Sequence, residues 1–147
     1  MAGFRLFLKS GHTPTLFAAF FYLMFSFVIW VMNGAMAPYI SEQFQLTAAQ
    51  KGLLLSIPIV AGAVMRFPLG LLAQYVGRKT ATLVELALIT LTMSFGYFFV
   101  HTYDDLLKMA LLLGVAGASF GVAMSLGSGW YPPKYKGLAM GLVGAGN

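Results

Sequence analysis

The chain alternates between long apolar stretches and short polar breaks. Four of the stretches are long enough to cross a bilayer as helices, which takes about 20 apolar residues each. A fifth apolar stretch begins near residue 137 and runs to Asn147, the last residue. The pattern therefore predicts an all-α, polytopic transmembrane bundle with four full spans and the start of a fifth. The predicted spans are residues 15–37, 52–73, 80–100, 106–129 and 137–147.

The polar breaks carry residues that are typical of helix starts and ends. Thr13 and Pro14 are predicted to be the N-cap and the first residue of the first helix. Thr47–Gln50 fits a capping box before the second helix, and Asp104 is predicted to cap the fourth. The segment Trp130–Lys136 contains two adjacent prolines, so the fourth helix is expected to end before them.

The composition is that of a membrane protein. Hydrophobic residues make up 59% of the chain and charged residues only 9%, whereas a soluble domain carries roughly 25% charged residues. The mean hydropathy is +0.82. Cysteine is absent, which excludes disulfides, thiolate metal sites and thiol nucleophiles. The net charge of +5 is explained by topology, so the expected surroundings are a lipid bilayer and no nucleic-acid partner is expected.

The basic residues are distributed unevenly between the two sides of the predicted bundle. If the loops alternate across the membrane, six of these residues fall on the side of the N-terminus and two on the other side. Short loops rich in Lys and Arg face the cytoplasm, so we expect a cytoplasmic N-terminus. The expected location is the bacterial inner membrane. The six are Arg5, Lys9, Arg78, Lys79, Lys134 and Lys136, and the two are Lys51 and Lys108.

A cleaved signal peptide is the alternative interpretation of the first span. Ala35–Ala37 resembles an A-x-A cleavage site. The apolar stretch before it exceeds the usual length of about 7–15 residues, and further spans follow directly. The first span is therefore expected to stay uncleaved.

One arginine, Arg66, lies inside the second span in the sequence AVMRFPLG. It is about nine residues, or roughly 13 Å, from the nearer end of that span. Facing lipid, its charge would cost at least about 2.5–3.5 kcal/mol, so we expect it to face the protein interior or a watery cavity. Pro58 and Pro68 each remove a backbone amide near it, as is common where a helix lines a cavity.

Two interpretations of Arg66 remain open from the residues alone. In the first, it pairs with Glu85, the only acid inside any predicted span and within about one helical turn of the same depth. In the second, it binds an anionic substrate. The guanidinium is a planar fork of donors, which suits small planar oxyanions.

Two series of glycines follow helical spacing in the fourth span and the start of the fifth. Such series allow helix backbones to approach closely. The second series leads to Asn147, whose amide could bond either a ligand or a neighbouring helix. The series are Gly114, Gly117, Gly121 and Gly137, Gly141, Gly144.

The segment Gly70–Lys79, GLLAQYVGRK, resembles the cytoplasmic loop motif of the major facilitator superfamily, G-x-L-A-D-R-x-G-R-K. The resemblance covers the gating motif at Gly70, Gly77, Arg78 and Lys79. Gln74 and Tyr75 stand where the family usually has Asp and Arg. The charge-based gate that the motif implies therefore lacks its usual acid.

A more specific resemblance is to the nitrate/nitrite porter branch of that superfamily. It is carried by RFPLG, by GASFGVAMSLGSGWYPPKYKGLAMG and by the closing GAGN. The resemblance implies that Arg66 binds the substrate anion, that Phe120 packs against it, and that Gly144 and Asn147 lie near it. The implied activity is secondary transport of nitrate and/or nitrite by alternating access, without a cofactor.

Members of the superfamily have about twelve spans in two bundles. The chain is therefore expected to be an N-terminal fragment, with the missing C-terminal helices supplying a second arginine to the site. Glu85 is expected to be structural or to couple transport to protons, being the only acid in a span.

Alternative functions are a carrier for another small anion or a drug, and a small oligomeric channel or scaffold subunit. An enzyme is not expected. The sequence has no Ser-His-Asp set and no cluster of metal ligands. His12 and His101 fall near opposite sides of the membrane, so they cannot ligate one haem.

Overall fold

The computed structural model describes residues 2–147, which form six helices and, within that range, no strand. This confirms the predicted all-α architecture. The helices are α1 (Ala2–Lys9), α2 (Thr13–Gln43), α3 (Ala48–Val76), α4 (Arg78–Phe99), α5 (Tyr103–Ser128) and α6 (Pro133–Gly144).

Helices α2 to α5 are each long and apolar enough to cross a membrane, and they correspond to the first four predicted spans. Helix α2 continues past the predicted end at residue 37 and includes Pro38. A proline removes only one backbone hydrogen bond, and the helix resumes beyond it. Helix α6 starts four residues before the predicted fifth span, because a proline is well tolerated in the first turn of a helix.

The helix starts differ in part from the predicted caps. The capping box between Thr47 and Gln50 is confirmed: the backbone N–H of Gln50 donates to Thr47 Oγ1 at 3.3 Å. The predicted cap at Thr13 is wrong, because His12 Nδ1 accepts from the Thr15 amide and Thr13 lies inside α2.

The predicted cap of α5 at Asp104 is also wrong. Thr102 is the N-cap, and Asp105 completes a second capping box with it. Both mistaken caps were placed within two residues of the true one, where several polar side chains compete for the same backbone amides.

Helix α5 lies at the centre of the bundle and packs most closely against α3. A Cβ atom at Gly114 would lie 2.8 Å from the Gly62 nitrogen, and one at Gly62 would lie 3.4 Å from the Gly117 Cα. The backbones of the two helices therefore touch, as the glycine series predicted. Gly121, further along the same series, has no such neighbour within 4 Å.

Helix α1 was not anticipated, because eight residues are too few to show a clear periodicity. Its Phe7 is fully buried. The ring stacks on Tyr131 with centroids 4.8 Å apart, and meets the edge of Tyr135 at 5.7 Å. Helix α1 therefore ties the start of the chain to the connection between α5 and α6.

A single residue, Gly77, joins α3 to α4. Its backbone has φ +86° and ψ 154°, a region that is essentially restricted to glycine. A Cβ atom there would meet no other atom within 4 Å. The requirement for glycine is therefore conformational and not steric.

We predict that Gly77→Ala lowers the stability of the protein by about 1–3 kcal/mol, because alanine is strained in this conformation. The matched control is Gly70→Ala, a helical position in α3 that also has open space around the new methyl group. It should be neutral or slightly stabilising, since alanine favours helix over glycine. Thermal unfolding in detergent measures both, and equal melting temperatures for the two variants would contradict the prediction.

Candidate functional site

A small cavity of about 40 Å³ lies between α2, α3, α5 and the C-terminal turn. It brings together Arg66, Phe120 and Asn147, three of the four residues for which the resemblance implied substrate contact. The remaining lining residues are Leu23, Phe27, Trp30, Ala116, Gly117 and Ser119.

Arg66 reaches across from α3 to α5. Its Nη2 donates to the Gly117 carbonyl oxygen at 3.5 Å, which is its one hydrogen bond within residues 2–147. Its Cζ lies 6.0 Å from the centre of the Phe120 ring, within the range of a cation–π contact. A guanidinium has five N–H donors, so most of them remain available to a ligand in the cavity.

The alternative in which Arg66 pairs with Glu85 is wrong. Glu85 is fully buried elsewhere, and its Oε2 accepts a hydrogen bond from the Tyr22 hydroxyl of α2. Its Oε1 has no hydrogen-bond partner among residues 2–147. The one salt bridge within residues 2–147 joins Lys108 to Asp105. The charge of Arg66 is therefore not neutralised by an acid in the described part of the chain.

Asn147 and Gly144 occupy different places at the end of α6. Asn147 lies just beyond the helix and lines the cavity. Its backbone N–H donates to the Gly144 carbonyl at 3.1 Å. A Cβ atom at Gly144 would lie 2.8 Å from the Met124 Cε. Gly144 is thus a packing contact between α6 and α5, and it is absent from the cavity lining.

A larger cleft of about 940 Å³ opens at the end of the bundle where α3 meets α4. All four gating-motif residues (Gly70, Gly77, Arg78, Lys79) line it, together with Gln74 and Trp130. The Arg78 guanidinium lies against Gly129, where any side chain would collide with Nη1. With Gln74 in place of the family's usual acid, the described lining of this cleft contains two cations and no carboxylate.

The sequence analysis missed the contribution of α2 to the site. Trp30 Nε1 donates to the Pro58 carbonyl at 3.1 Å. Asn33 Nδ2 donates at 3.2 Å to the Leu54 carbonyl, which is the group that Pro58 leaves without its helical partner. A polar residue opposite a proline in an adjacent span is the signal that could have indicated this pairing.

Residues 16–147 match the family model described as Major Facilitator Superfamily. The chain belongs to this superfamily. Among curated proteins, the chain is 34% identical over 122 residues to "Probable nitrate/nitrite antiporter NarK1" of Thermus thermophilus. The matched region covers 82% of the chain and 27% of the relative. It is 30% identical over 128 residues to "Probable nitrate transporter NarT" of Staphylococcus aureus (strain JH9), covering 85% of the chain and 32% of the relative.

These comparisons confirm the predicted resemblance to nitrate/nitrite porters over most of the chain. The chain spans roughly a quarter to a third of the length of these relatives, 27% and 32% respectively. Membership of the superfamily assigns it to a class of integral membrane transport proteins and not to an enzyme family.

We predict that Tyr22→Phe destabilises the protein by about 1–3 kcal/mol, because the buried Glu85 would lose the hydrogen bond on its Oε2. Tyr97→Phe removes a hydroxyl from a residue that is 84% exposed, and it should leave the melting temperature unchanged. Equal melting temperatures of the two variants would show that the Tyr22 hydroxyl contributes nothing.

Proposed function

We propose that the chain is part of a secondary transporter that moves nitrate and/or nitrite by alternating access, with Arg66 binding the anion. The observation that carries this proposal is the unpaired Arg66 guanidinium at a small cavity that Phe120 and Asn147 also line. The names of the two relatives support the same substrates.

The part of the cavity that this chain forms is large enough for a small ion. A cavity needs about 10–15 Å³ of accessible volume to hold one water, and the space beside Arg66 measures about 40 Å³. A carrier for another small anion or a drug is the alternative that this partial volume leaves open.

The chemistry of the lining suits a planar oxyanion. Nitrate is permanently ionised, so it needs no proton for recognition. Two parallel N–H groups of Arg66 match two of its oxygens, as in bidentate carboxylate recognition. The Phe120 ring covers an apolar side, and the Asn147 amide offers a further donor. Together these groups replace part of the hydration shell that the anion loses on entry.

The wider arrangement follows from this site. Further helices of the same transporter complete the cavity and bring the second arginine. The two bundles then rock around the anion to expose it alternately to each side. The cleft that holds Arg78 and Lys79 is the route towards the cytoplasm, on the same side as the N-terminus and α1. The membrane is the bacterial inner membrane.

We infer anion exchange as the transport mode, because the Thermus thermophilus relative is named a nitrate/nitrite antiporter. The part of the Arg66 cavity that residues 2–147 line is compatible with this mode, since exchange needs no carboxylate or histidine there. Glu85 lies outside that lining, bonded to Tyr22, and its role in this proposal is to hold α4 against α2.

We expect Arg66→Lys to weaken nitrate recognition at least about tenfold, because lysine keeps the charge but loses the fork of donors. The measurement is nitrate/nitrite counterflow in proteoliposomes with the full-length gene product that contains this chain. Arg5→Lys, the same substitution in α1, is the matched control and should behave as wild type. Unchanged nitrate affinity in Arg66→Lys would rule out bidentate recognition by this residue.

We expect Glu85→Gln to keep both the rate and the pH profile of counterflow. Glutamine retains the shape of the side chain and an oxygen that accepts from Tyr22, but it cannot exchange a proton. Glu42→Gln, at the exposed end of α2, is the matched control. If Glu85→Gln alone loses a pH-dependent component of uptake, Glu85 couples transport to protons and the exchange mode is wrong.

A further inference from the structure

Two cavities lie on either side of one side chain. The first is the Arg66 cavity of about 40 Å³. The second is a cleft of about 310 Å³ between α2 and α3, lined by residues such as Asn33, Leu55 and Ile59. Among the residues that the structure describes, Trp30 is the one that lines both. Its indole therefore stands between the candidate anion site and the end of the bundle where α2 connects to α3.

The indole is held in this position by two contacts from different helices. Its Nε1 donates to the Pro58 carbonyl of α3 at 3.1 Å. On the other side it rests on α5 at Gly117, where a Cβ atom would lie 2.5 Å from Nε1 and 2.6 Å from Cε2. Only a residue without a side chain admits the ring at that place.

Gly117 also connects Trp30 to Arg66. Its Cα faces the indole, while its carbonyl oxygen accepts the hydrogen bond from Arg66 Nη2. The arginine and the tryptophan are thus placed against the same residue of α5. A displacement of the indole at this contact alters the space beside the guanidinium.

We propose that Trp30 is the barrier between the anion site and the α2–α3 cleft, and that its indole limits the size of the anion that Arg66 accepts. The proposal rests on the proposed function and adds a selectivity-determining residue to it. Trp30 acts by closing one side of the cavity. Removing the indole merges the Arg66 cavity with the larger α2–α3 cleft. Larger anions then gain entry, and the site is no longer closed towards the end of the bundle where α2 connects to α3.

The first test uses tryptophan fluorescence of the full-length gene product. Every tryptophan other than Trp30, including Trp130, is replaced by Phe, so that Trp30 is the only indole. Adding nitrate should change its emission saturably, whereas the same ionic strength of chloride should not. Equilibrium dialysis with isotopically labelled nitrate runs in parallel. Bound nitrate without a change in emission overturns the assignment of Trp30 but not the proposed function.

The second test measures selectivity and leak in proteoliposomes with the full-length gene product. Trp30→Ala should reduce the preference for nitrate over perchlorate, a larger tetrahedral anion, on the order of tenfold. It should also raise nitrate efflux in the absence of a counter-anion. Trp30→Phe keeps a ring but not the bond to Pro58, so it should fall between Trp30→Ala and wild type.

The matched control is Val31→Ala, which shortens a side chain that lines the cleft but not the Arg66 cavity. It should keep the wild-type selectivity and leak. If Trp30→Ala and Trp30→Phe both behave like Val31→Ala, the barrier role is overturned. If wild type neither binds nor exchanges nitrate, the proposed function fails and this inference fails with it.

Discussion

The site depends on the direct contact between the backbones of α3 and α5. Glycines at positions 62, 114 and 117 bring the two helices close enough for atoms of one main chain to meet those of the other. At that separation Arg66 reaches a carbonyl of α5. Bulkier residues along this contact would separate the helices and leave the guanidinium without its partner. The small residues are therefore a condition of the charge being tolerated inside the span.

A second constraint is the supply of hydrogen-bond partners in a medium without water. Prolines in α3 release backbone carbonyls, and each unsatisfied carbonyl in the apolar region is costly. Asn33 of α2 donates to the Leu54 carbonyl, which Pro58 leaves without its helical partner. Trp30 of α2 donates to the carbonyl of Pro58 itself, and this bond fixes the side chain that lies between the two cavities. Satisfying the backbone and shaping the site are therefore achieved by neighbouring contacts between the same two helices.

The sequence was sufficient to predict the membrane-spanning helices, but not α1 or the side-chain contacts between helices. Apolar length determines which segments form spans, so α2 to α5 were anticipated. Arg66, Phe120 and Asn147 could be grouped by resemblance, and the structure places them around one cavity. The pairing of Glu85 with Tyr22 could not be anticipated, because it depends on how α4 is rotated against α2. The wall formed by Trp30 depends in the same way on tertiary packing, and nothing in its local sequence distinguishes it from a lipid-facing aromatic residue.

The one-residue connection between α3 and α4 has a mechanical consequence. With a rise of 1.5 Å per residue, α4 extends about 33 Å from its junction, so turning it there by about 10° would swing the opposite tip by roughly 6 Å. A one-residue connection does not by itself fix the angle between α3 and α4. The orientation of α4 must be maintained along its length, where Ile89 belongs to a buried apolar cluster that includes Val115 of α5 and the Glu85 carboxyl accepts a hydrogen bond from Tyr22 of α2. In the proposed mechanism, in which one bundle tilts against another, these lateral contacts allow α4 to move together with its neighbours as a single body.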